Sequence, residues 1–174
     1  MSKTDSRVLL SDDSDGVRTL MLNRARRKNA INPELWIALR DALTAAGRDR
    51  AVRALVITGA GGSFCSGADI AEADELHPKH KLQRLTDVAL ALHELAIPTV
   101  AKVTGVAVGA GWNLALGCDL VAATPESTFS RIFYKRGCRS TSAVRGCCRN
   151  SLACNRPSGW RCWPKLSMPR KPTP

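Results

Sequence analysis

The chain alternates short apolar runs with amphipathic segments between residues 17 and 123, and this alternation restricts its fold more than any other feature. The runs suit strands, and they lie at residues 17–22, 54–58, 99–103 and 119–123. The run A-L-V-I-T at residues 54–58 is apolar throughout, which is typical of a strand that is covered on both faces. Apolar residues at helical spacing lie between the runs. The pattern therefore predicts one α/β domain, and 174 residues suffice for one such core but are short for two.

Two amphipathic helices are predicted between these strands, and a short third helix is predicted at residues 112–117. Asn32 as N-cap and Pro33 at the first helical position predict a helix start. The stripe of this helix ends at Gly47 and consists of Leu35, Leu39, Leu43 and Ala46. The second helix ends before Pro98, and its stripe consists of Leu82, Leu85, Ala89, Leu92 and Leu95.

The regular pattern ends at about Gly137. Residues 138–174 contain eight Lys or Arg and no acid, so the rest of the chain holds only +3 of the net charge of +11. Five of the seven cysteines lie in the same segment, and no apolar period runs through it. We therefore expect a domain at residues 1–137 and an irregular, disordered basic tail at residues 138–174. Nucleic-acid binding through this tail is an alternative function, but nucleic acid is not the expected partner because no base-reading motif accompanies the charge.

Several other classes of protein do not fit the sequence. No apolar run reaches the roughly 18 residues of a membrane helix, and residues 1–7 lack the apolar stretch of a secretory signal. We therefore expect a cytoplasmic protein without a membrane partner. The odd number of cysteines argues against a disulfide framework. His77 and His80 have no further Cys or His at ligand spacing, so we expect no metal site.

Two loops of small residues carry the candidate chemistry. The first reads G-A-G-G-S-F-C-S-G-A-D-I at residues 59–70, and the second reads T-G-V-A-V-G-A-G-W-N at residues 104–113. Small residues let a ligand approach the backbone, and the N–H groups at a helix start favour an anion. Two such donors from separate loops can stabilise a thioester enolate as an oxyanion hole. Plain glycine-rich turns after strands are the competing interpretation.

Other uses of the first loop fit its sequence poorly. Phe64 occupies the place of the third glycine of a dinucleotide fingerprint, and no G-K-[ST] follows for a P-loop. Cys65 and Ser66 have no histidine nearby in sequence and no G-x-S-x-G frame, so we interpret both as small wall residues and not as nucleophiles.

Together with L-N-R at residues 22–24, N-A at 29–30 and C-D-L at 118–120, the two loops resemble the enoyl-CoA hydratase/isomerase (crotonase) family. The resemblance implies a crotonase-like fold, a spiral of ββα units that acts on acyl-CoA thioesters in fatty-acid metabolism. It implies no cofactor beyond the coenzyme A of the substrate. The R-A-R-R-K run at residues 24–28 could contact coenzyme A phosphates or form a solvated turn.

The resemblance also assigns roles to individual residues. It implies that the backbone N–H groups of Ala68 and Ala110 are the oxyanion donors. The remaining residues implied to contact substrate or coenzyme A are Asp69 and Ile70 in the substrate loop and Asn29 and Ala30 near the adenine end.

The sequence departs from the family where the catalytic carboxylates are implied. Hydratases of this family use two glutamates to hold and activate water, and the matching positions here are Asn113 and Phe133, which cannot exchange a proton at neutral pH. An isomerase-type aspartate is implied just beyond Gly137, where this chain has C-R-S-T-S. A catalytically inactive acyl-CoA-binding remnant is therefore an alternative to an active enzyme. The C-terminal helices through which the family forms trimers are also missing, so a homotrimer or hexamer is not expected.

The abrupt change after Gly137 predicts a one-base frameshift in a gene of this family. Back-translating the tail with GC-rich codons and reading it after one added base gives S-V-D-L-G-G-S-W-L-L-P, a string similar to the family's continuation. The aspartate of that string is encoded across Ser140 and Thr141.

Overall fold

The computed structural model describes residues 7–72, 77–130 and 161–163. These residues contain eight strands and three α-helices. The strands are β1 (Leu9–Ser14), β2 (Val17–Leu22), β3 (Ala54–Gly59), β4 (Thr99–Val103), β5 (Val106–Val108), β6 (Leu120–Ala123), β7 (Thr128–Ser130) and β8 (Arg161–Trp163). The helices are α1 (Pro33–Arg48), α2 (Pro78–His93) and α3 (Ala110–Gly117). The predicted α/β class is confirmed.

The strands form a six-stranded sheet in the order β1-β2-β3-β4-β6-β8 and a separate parallel pair, β5 and β7. The four central strands β2, β3, β4 and β6 run parallel to one another. Strand β1 is antiparallel to β2 because the two-residue turn Asp15-Gly16, with positive φ at both positions, joins them as a hairpin. Strand β8 pairs antiparallel with β6, so the segment expected to be irregular contributes three residues to the sheet.

Helix α1 follows the prediction closely. The Asn32 side chain accepts a hydrogen bond from the Leu35 N–H at 3.0 Å, and Pro33 is the first helical residue. The predicted stripe is buried in the core, where it packs with residues of the central strands such as Leu20, Leu55 and Ile57. The helix runs one residue past the predicted end at Gly47.

Helices α2 and α3 begin earlier than their apolar patterns predict. Helix α2 starts at Pro78 because the His77 ring accepts a hydrogen bond from the Lys79 N–H at 3.2 Å and caps the first turn. Of its predicted stripe, Leu92 is buried but Leu82 is 48% exposed. Helix α3 starts at Ala110, directly after the second loop. None of the helices in the described residues is long and apolar enough to cross a membrane.

Candidate active site

The two small-residue loops lie side by side and are joined by backbone hydrogen bonds. The N–H of Phe64 donates to the carbonyl of Thr104 at 2.7 Å, and the N–H of Cys65 donates to the carbonyl of Val106 at 2.9 Å. In return, the N–H of Val108 donates to the carbonyl of Cys65 at 2.9 Å. Strand β5, which makes the two bonds with Cys65, was predicted as part of a loop. The pairing brings together two segments that are about 40 residues apart in sequence.

Gly67 lies where the first loop meets the start of helix α3. Its φ of +105° belongs to the left-handed region that favours glycine. A Cβ atom at this position would lie 2.9 Å from the Val108 carbonyl oxygen and 3.6 Å from the Ala110 nitrogen. Gly67 therefore packs against the segment that leads into Ala110, and its φ together with the nearby Val108 carbonyl favours glycine here.

The backbone N–H groups of Ala68 and Ala110 are both left unpaired by the surrounding structure. Ala68 pairs with Ile31 in a parallel bridge that uses the Gly67 carbonyl (2.7 Å) and the Asp69 N–H (2.9 Å), but not its own N–H. Ala110 is the first residue of helix α3, so its N–H has no acceptor within the helix. Within the described residues, neither N–H makes a hydrogen bond. The two predicted donors thus lie on adjacent segments, and the amide of Ala110 stands at the positive end of a helix dipole.

Arg24 anchors the end of the first loop through its guanidinium group. One guanidinium nitrogen, Nη1, donates to the Ala30 carbonyl at 2.6 Å and to Asp69 Oδ2 at 2.9 Å, and Nη2 donates to Glu72 Oε2 at 2.6 Å. The side chains of Arg24 and Asp69 are nearly buried. The ion pair therefore ties residues 24–30 to the turn that follows Ala68.

The Asp69 carboxylate is a structural anchor of the first loop. Its Oδ1 accepts hydrogen bonds from the N–H groups of Ala71 (3.1 Å) and Glu72 (3.3 Å). Burial raises the pKa of the Asp69 carboxyl, but the hydrogen bond from Arg24 and those from the two amides outweigh it and hold this pKa below its usual value. Its neighbour Ile70 is 73% exposed, so of the two residues predicted to line the loop only Ile70 presents its side chain to the surroundings.

The side chain of Asn29 is fully buried and holds two loops together. Its Oδ1 accepts from the Arg24 N–H at 2.9 Å, and its Nδ2 donates to the carbonyls of Ala60 (2.9 Å) and Ser63 (2.6 Å). Ala30 is buried as well, and its carbonyl is bonded to Arg24. Because Asn29 has no exposed surface, the structure shows it as a buried link between the loops.

Cys65 is fully buried, and the Ser66 hydroxyl is engaged with the backbone. Burial raises the pKa of the Cys65 thiol to about 12, so the thiol is not ionised at neutral pH. The Ser66 hydroxyl donates to the Arg27 carbonyl at 3.2 Å. His77 and His80 stack edge to face, and no group of three or more His, Cys, Asp or Glu side chains that could hold a metal ion occurs among the described residues.

Helix α3 carries two side chains, beside the second loop, whose polar nitrogen atoms are buried. Asn113 is 8% exposed, and among the described residues neither its buried Nδ2 nor the Nε1 of Trp112 has a hydrogen-bond partner. The Trp112 ring packs edge to face on Phe129, with ring centroids 4.6 Å apart. The predicted change at Phe133 and the C-R-S-T-S segment at residues 138–142 lie outside the described residues.

Comparison with known proteins identifies the family. A model described as enoyl-CoA hydratase/isomerase matches residues 12–154, a range that extends past Gly137. The chain belongs to the enoyl-CoA hydratase/isomerase family. It is 42% identical over 135 residues to a probable enoyl-CoA hydratase of Mycobacterium tuberculosis, covering 75% of this chain and 52% of that protein. It is 38% identical over 136 residues to the 1,2-epoxyphenylacetyl-CoA isomerase of Escherichia coli K12, covering 74% and 52% respectively.

Solved structures agree with this family membership. The crystal structure of an enoyl-CoA hydratase of Mycobacterium smegmatis superposes with a TM-score of 0.74 at 34% identity, covering 84% of this chain and 59% of that one. The predicted crotonase-like fold is therefore confirmed. This member of the enoyl-CoA hydratase/isomerase family spans about half the length of the curated relatives that it matches.

Two structural roles in this family member were missed by sequence reasoning. Arg24 belongs to the R-A-R-R-K run, and charge alone does not distinguish the one inward-facing arginine from its exposed neighbours. Asp119 joins the starts of two strands, because its Oδ2 accepts from the Thr99 N–H (2.9 Å) and hydroxyl (2.7 Å). The inward direction of Arg24 could have been predicted from its position just after the end of strand β2, where a side chain can turn towards the neighbouring loops.

Proposed function

We propose that this chain binds an acyl-CoA thioester and stabilises its enolate with the backbone N–H groups of Ala68 and Ala110. The observation that carries the proposal is the pair of unpaired N–H groups on two adjoining segments, one of them at a helix start. Donors of this kind, fixed before the ligand arrives, strongly stabilise a negative charge on oxygen because they need no reorganisation when the charge develops. The relatives named as a hydratase and an isomerase of CoA compounds support a thioester as the ligand.

The proposed reaction step is the loss of a proton from the carbon next to the thioester carbonyl. The electron pair of the broken C–H bond moves towards the carbonyl oxygen, and the two N–H groups stabilise the resulting oxyanion. The proton passes to a base from solution, such as hydroxide or a buffer anion, because Asn113 is a neutral amide and cannot accept it at neutral pH. Since the step transfers a proton and shifts an electron pair without a change of oxidation state, it requires no redox cofactor.

The adenine end of coenzyme A is proposed to lie along the segment of Asn29 and Ala30, with the exposed arginines 26 and 27 near its phosphates. Arg27 is 57% exposed and belongs to a short 3₁₀ turn directly before this segment. Guanidinium groups suit phosphates because they donate several hydrogen bonds in one plane. Neither alternative, an inactive remnant or nucleic-acid binding through residues 138–174, gains support from the comparisons.

The test uses 3-oxobutanoyl-CoA, whose enolate has an ultraviolet absorption band that the keto form lacks. The full chain is titrated with this thioester at fixed pH, and the amplitude of the enolate band is measured. Replacing Ala110 by proline removes one donor, and proline suits the first position of a helix. The residue before a proline prefers an extended backbone, and Gly109, with φ 55° and ψ −114°, has the mirror image of that conformation. Because glycine has no Cβ atom, it adopts this conformation as readily as the usual one, so it is compatible with a proline at position 110.

Ala110→Pro should weaken enolate binding on the order of 10²-fold, because one oxyanion donor is lost. Ala110→Gly is the matched control, since it changes the side chain but keeps the N–H group. Ala68→Pro should act in the same way as Ala110→Pro, because the Ala68 N–H makes no bond in the bridge to Ile31. Enolate binding that is unchanged in both proline variants would refute the two donors. A wild-type chain that binds no CoA thioester would refute the function.

A further inference from the structure

Glu72 lies at the end of the turn that follows Ala68, and its carboxylate faces two arginines of the R-A-R-R-K run. Its Oε2 accepts hydrogen bonds from Arg24 Nη2 at 2.6 Å and from Asn32 Nδ2 at 3.1 Å. Its Oε1 lies 3.9 Å from Nη2 of Arg27. One carboxylate therefore contacts a nearly buried arginine, the N-cap of helix α1 and an exposed arginine.

The two arginines depend on this carboxylate to different degrees. Arg24 also donates to the Ala30 carbonyl and to Asp69, and its side chain is only 10% exposed, so it belongs to the fold. The side chain of Arg27 is 57% exposed, and its separation of 3.9 Å from Glu72 is too long for a hydrogen bond. Exposed ion pairs stabilise a protein little, because water solvates both charges. A ligand anion can therefore replace Glu72 at Arg27 but not at Arg24.

We propose that Glu72 determines how strongly this chain binds the phosphates of coenzyme A, because it competes with them for Arg27. This inference rests on the proposed function, which takes Arg27 as a contact of those phosphates. Since Oε2 is held by Arg24 and Asn32, the carboxylate stays in place when a phosphate arrives. The guanidinium of Arg27 then lies between two anions, and the negative charge of Glu72 repels the phosphate.

This repulsion weakens the binding of the phosphorylated end of the ligand and does not act on the acyl end. In water, two unit charges roughly 7 Å apart repel with an energy that corresponds to about a threefold change in a binding constant. A phosphate monoester, such as the 3′-phosphate of coenzyme A, carries about 1.5 to 2 negative charges at neutral pH. At low ionic strength, the charge of Glu72 should therefore weaken the binding of coenzyme A thioesters about threefold to tenfold.

Calorimetric titration of the full chain with 3-oxobutanoyl-CoA and with S-(3-oxobutanoyl)pantetheine tests the proposal, because the two thioesters share the acyl end and only the first carries phosphates. Glu72→Gln keeps an acceptor for Arg24 and Asn32 but removes the charge. The ratio of the two affinities should shift about threefold to tenfold towards the coenzyme A thioester, and added salt should reduce this shift. Glu72→Asp keeps the charge and should not produce the shift. Glu94→Gln removes the same charge from an exposed position at the end of helix α2 and should leave the ratio unchanged.

Arg27→Met tests whether this arginine contacts the phosphates. The substitution should weaken the binding of the coenzyme A thioester. Adding Glu72→Gln to it should shift the ratio less than in the wild-type background, because the phosphate is no longer held beside the carboxylate.

Three results would overturn the inference. One is a ratio that Glu72→Gln does not change, and another is a ratio that Glu72→Asp changes equally. The third is an equal weakening of both thioesters together with a lower melting temperature, which would show that Glu72 serves only the fold. All three leave the two oxyanion donors intact, since the enolate band tests those separately. A wild-type chain that binds neither thioester would refute the proposed function itself.

Discussion

Replacing Gly67 by alanine tests whether the two donor segments depend on a residue without a side chain at their contact. Gly67 has a φ of +105°, and an added Cβ atom would lie 2.9 Å from the Val108 carbonyl oxygen. Gly62 offers a matched control in the same loop. Its φ is +75°, but an added Cβ atom would meet nothing within 4 Å.

The expected loss of stability differs between the two variants. A positive φ costs a non-glycine residue about 1–2 kcal/mol, and both variants incur this cost. Overpacking against a neighbour that cannot move freely costs about 1–3 kcal/mol more, and only the variant at Gly67 incurs it. The total for Gly67→Ala is therefore about 2–5 kcal/mol, a large part of the roughly 5–15 kcal/mol that stabilises a typical domain.

Urea unfolding of both variants, followed by circular dichroism, measures the free energy of unfolding. Gly67→Ala should unfold at a clearly lower urea concentration than Gly62→Ala. It should also lose more of the enolate band with 3-oxobutanoyl-CoA, because the added Cβ atom pushes residues 67–68 away from Ala110. Equal losses of stability in the two variants would refute the close contact between the loops.

Three further predictions concern the anchors of the first loop. Arg24→Leu should cost about 3–5 kcal/mol in urea unfolding because it leaves the nearly buried carboxylate of Asp69 without its partner, whereas Arg26→Leu at an exposed position of the same run should change stability by about 0.5 kcal/mol or less. The low pKa of Asp69 stabilises the fold fully above the unfolded value of about 3.9, and this stabilisation is lost as the pH falls through the lower folded value. Asp69→Asn should therefore flatten the loss of stability as the pH falls below about 4, and an unchanged acid limb would contradict the ion pair. Cys65 should resist alkylation in the folded protein and react after unfolding, as peptide mapping by mass spectrometry can show, because its thiol is buried and its pKa is raised to about 12.

Local signals were sufficient to predict much of the fold. Strand β2 and strand β4 have the bounds that their apolar runs predict, and the Asn32-Pro33 pair predicts the start of helix α1. In these elements the local preference and the tertiary packing agree. The start of helix α2 was missed because the cap comes from a histidine, which is not among the usual capping residues.

Long-range pairing explains what the sequence did not predict. Strands β5 and β7 have three residues each, which is too short for a period of two to be recognised, and they form because the loops around them are brought together. Strand β8 likewise exists only as a partner of β6. In the candidate site, the family resemblance named Ala68 and Ala110, but the inward direction of Arg24 and the unpaired amide of Asn113 are visible only once the chain is folded.

The reading-frame hypothesis for residues 138–174 predicts what a repaired chain should gain. Acids disappear, cysteine and arginine become frequent and apolar periodicity is lost at one point after Gly137, a combination that a linker does not explain. One added base before the codon of Cys138 converts the tail, back-translated with GC-rich codons, to S-V-D-L-G-G-S-W-L-L-P, and the nearly fixed codons of Cys147 and Cys148 limit the freedom of the back-translation. The repaired chain should therefore carry an aspartate as acid or base and gain about 10²- to 10⁴-fold in isomerase turnover over the present chain, if that aspartate exchanges the substrate proton. The nucleotide sequence around codon 138 is the first check. If neither single-base shift opens a frame that continues as a family C-terminal region, the hypothesis is wrong and the basic tail is the protein's own.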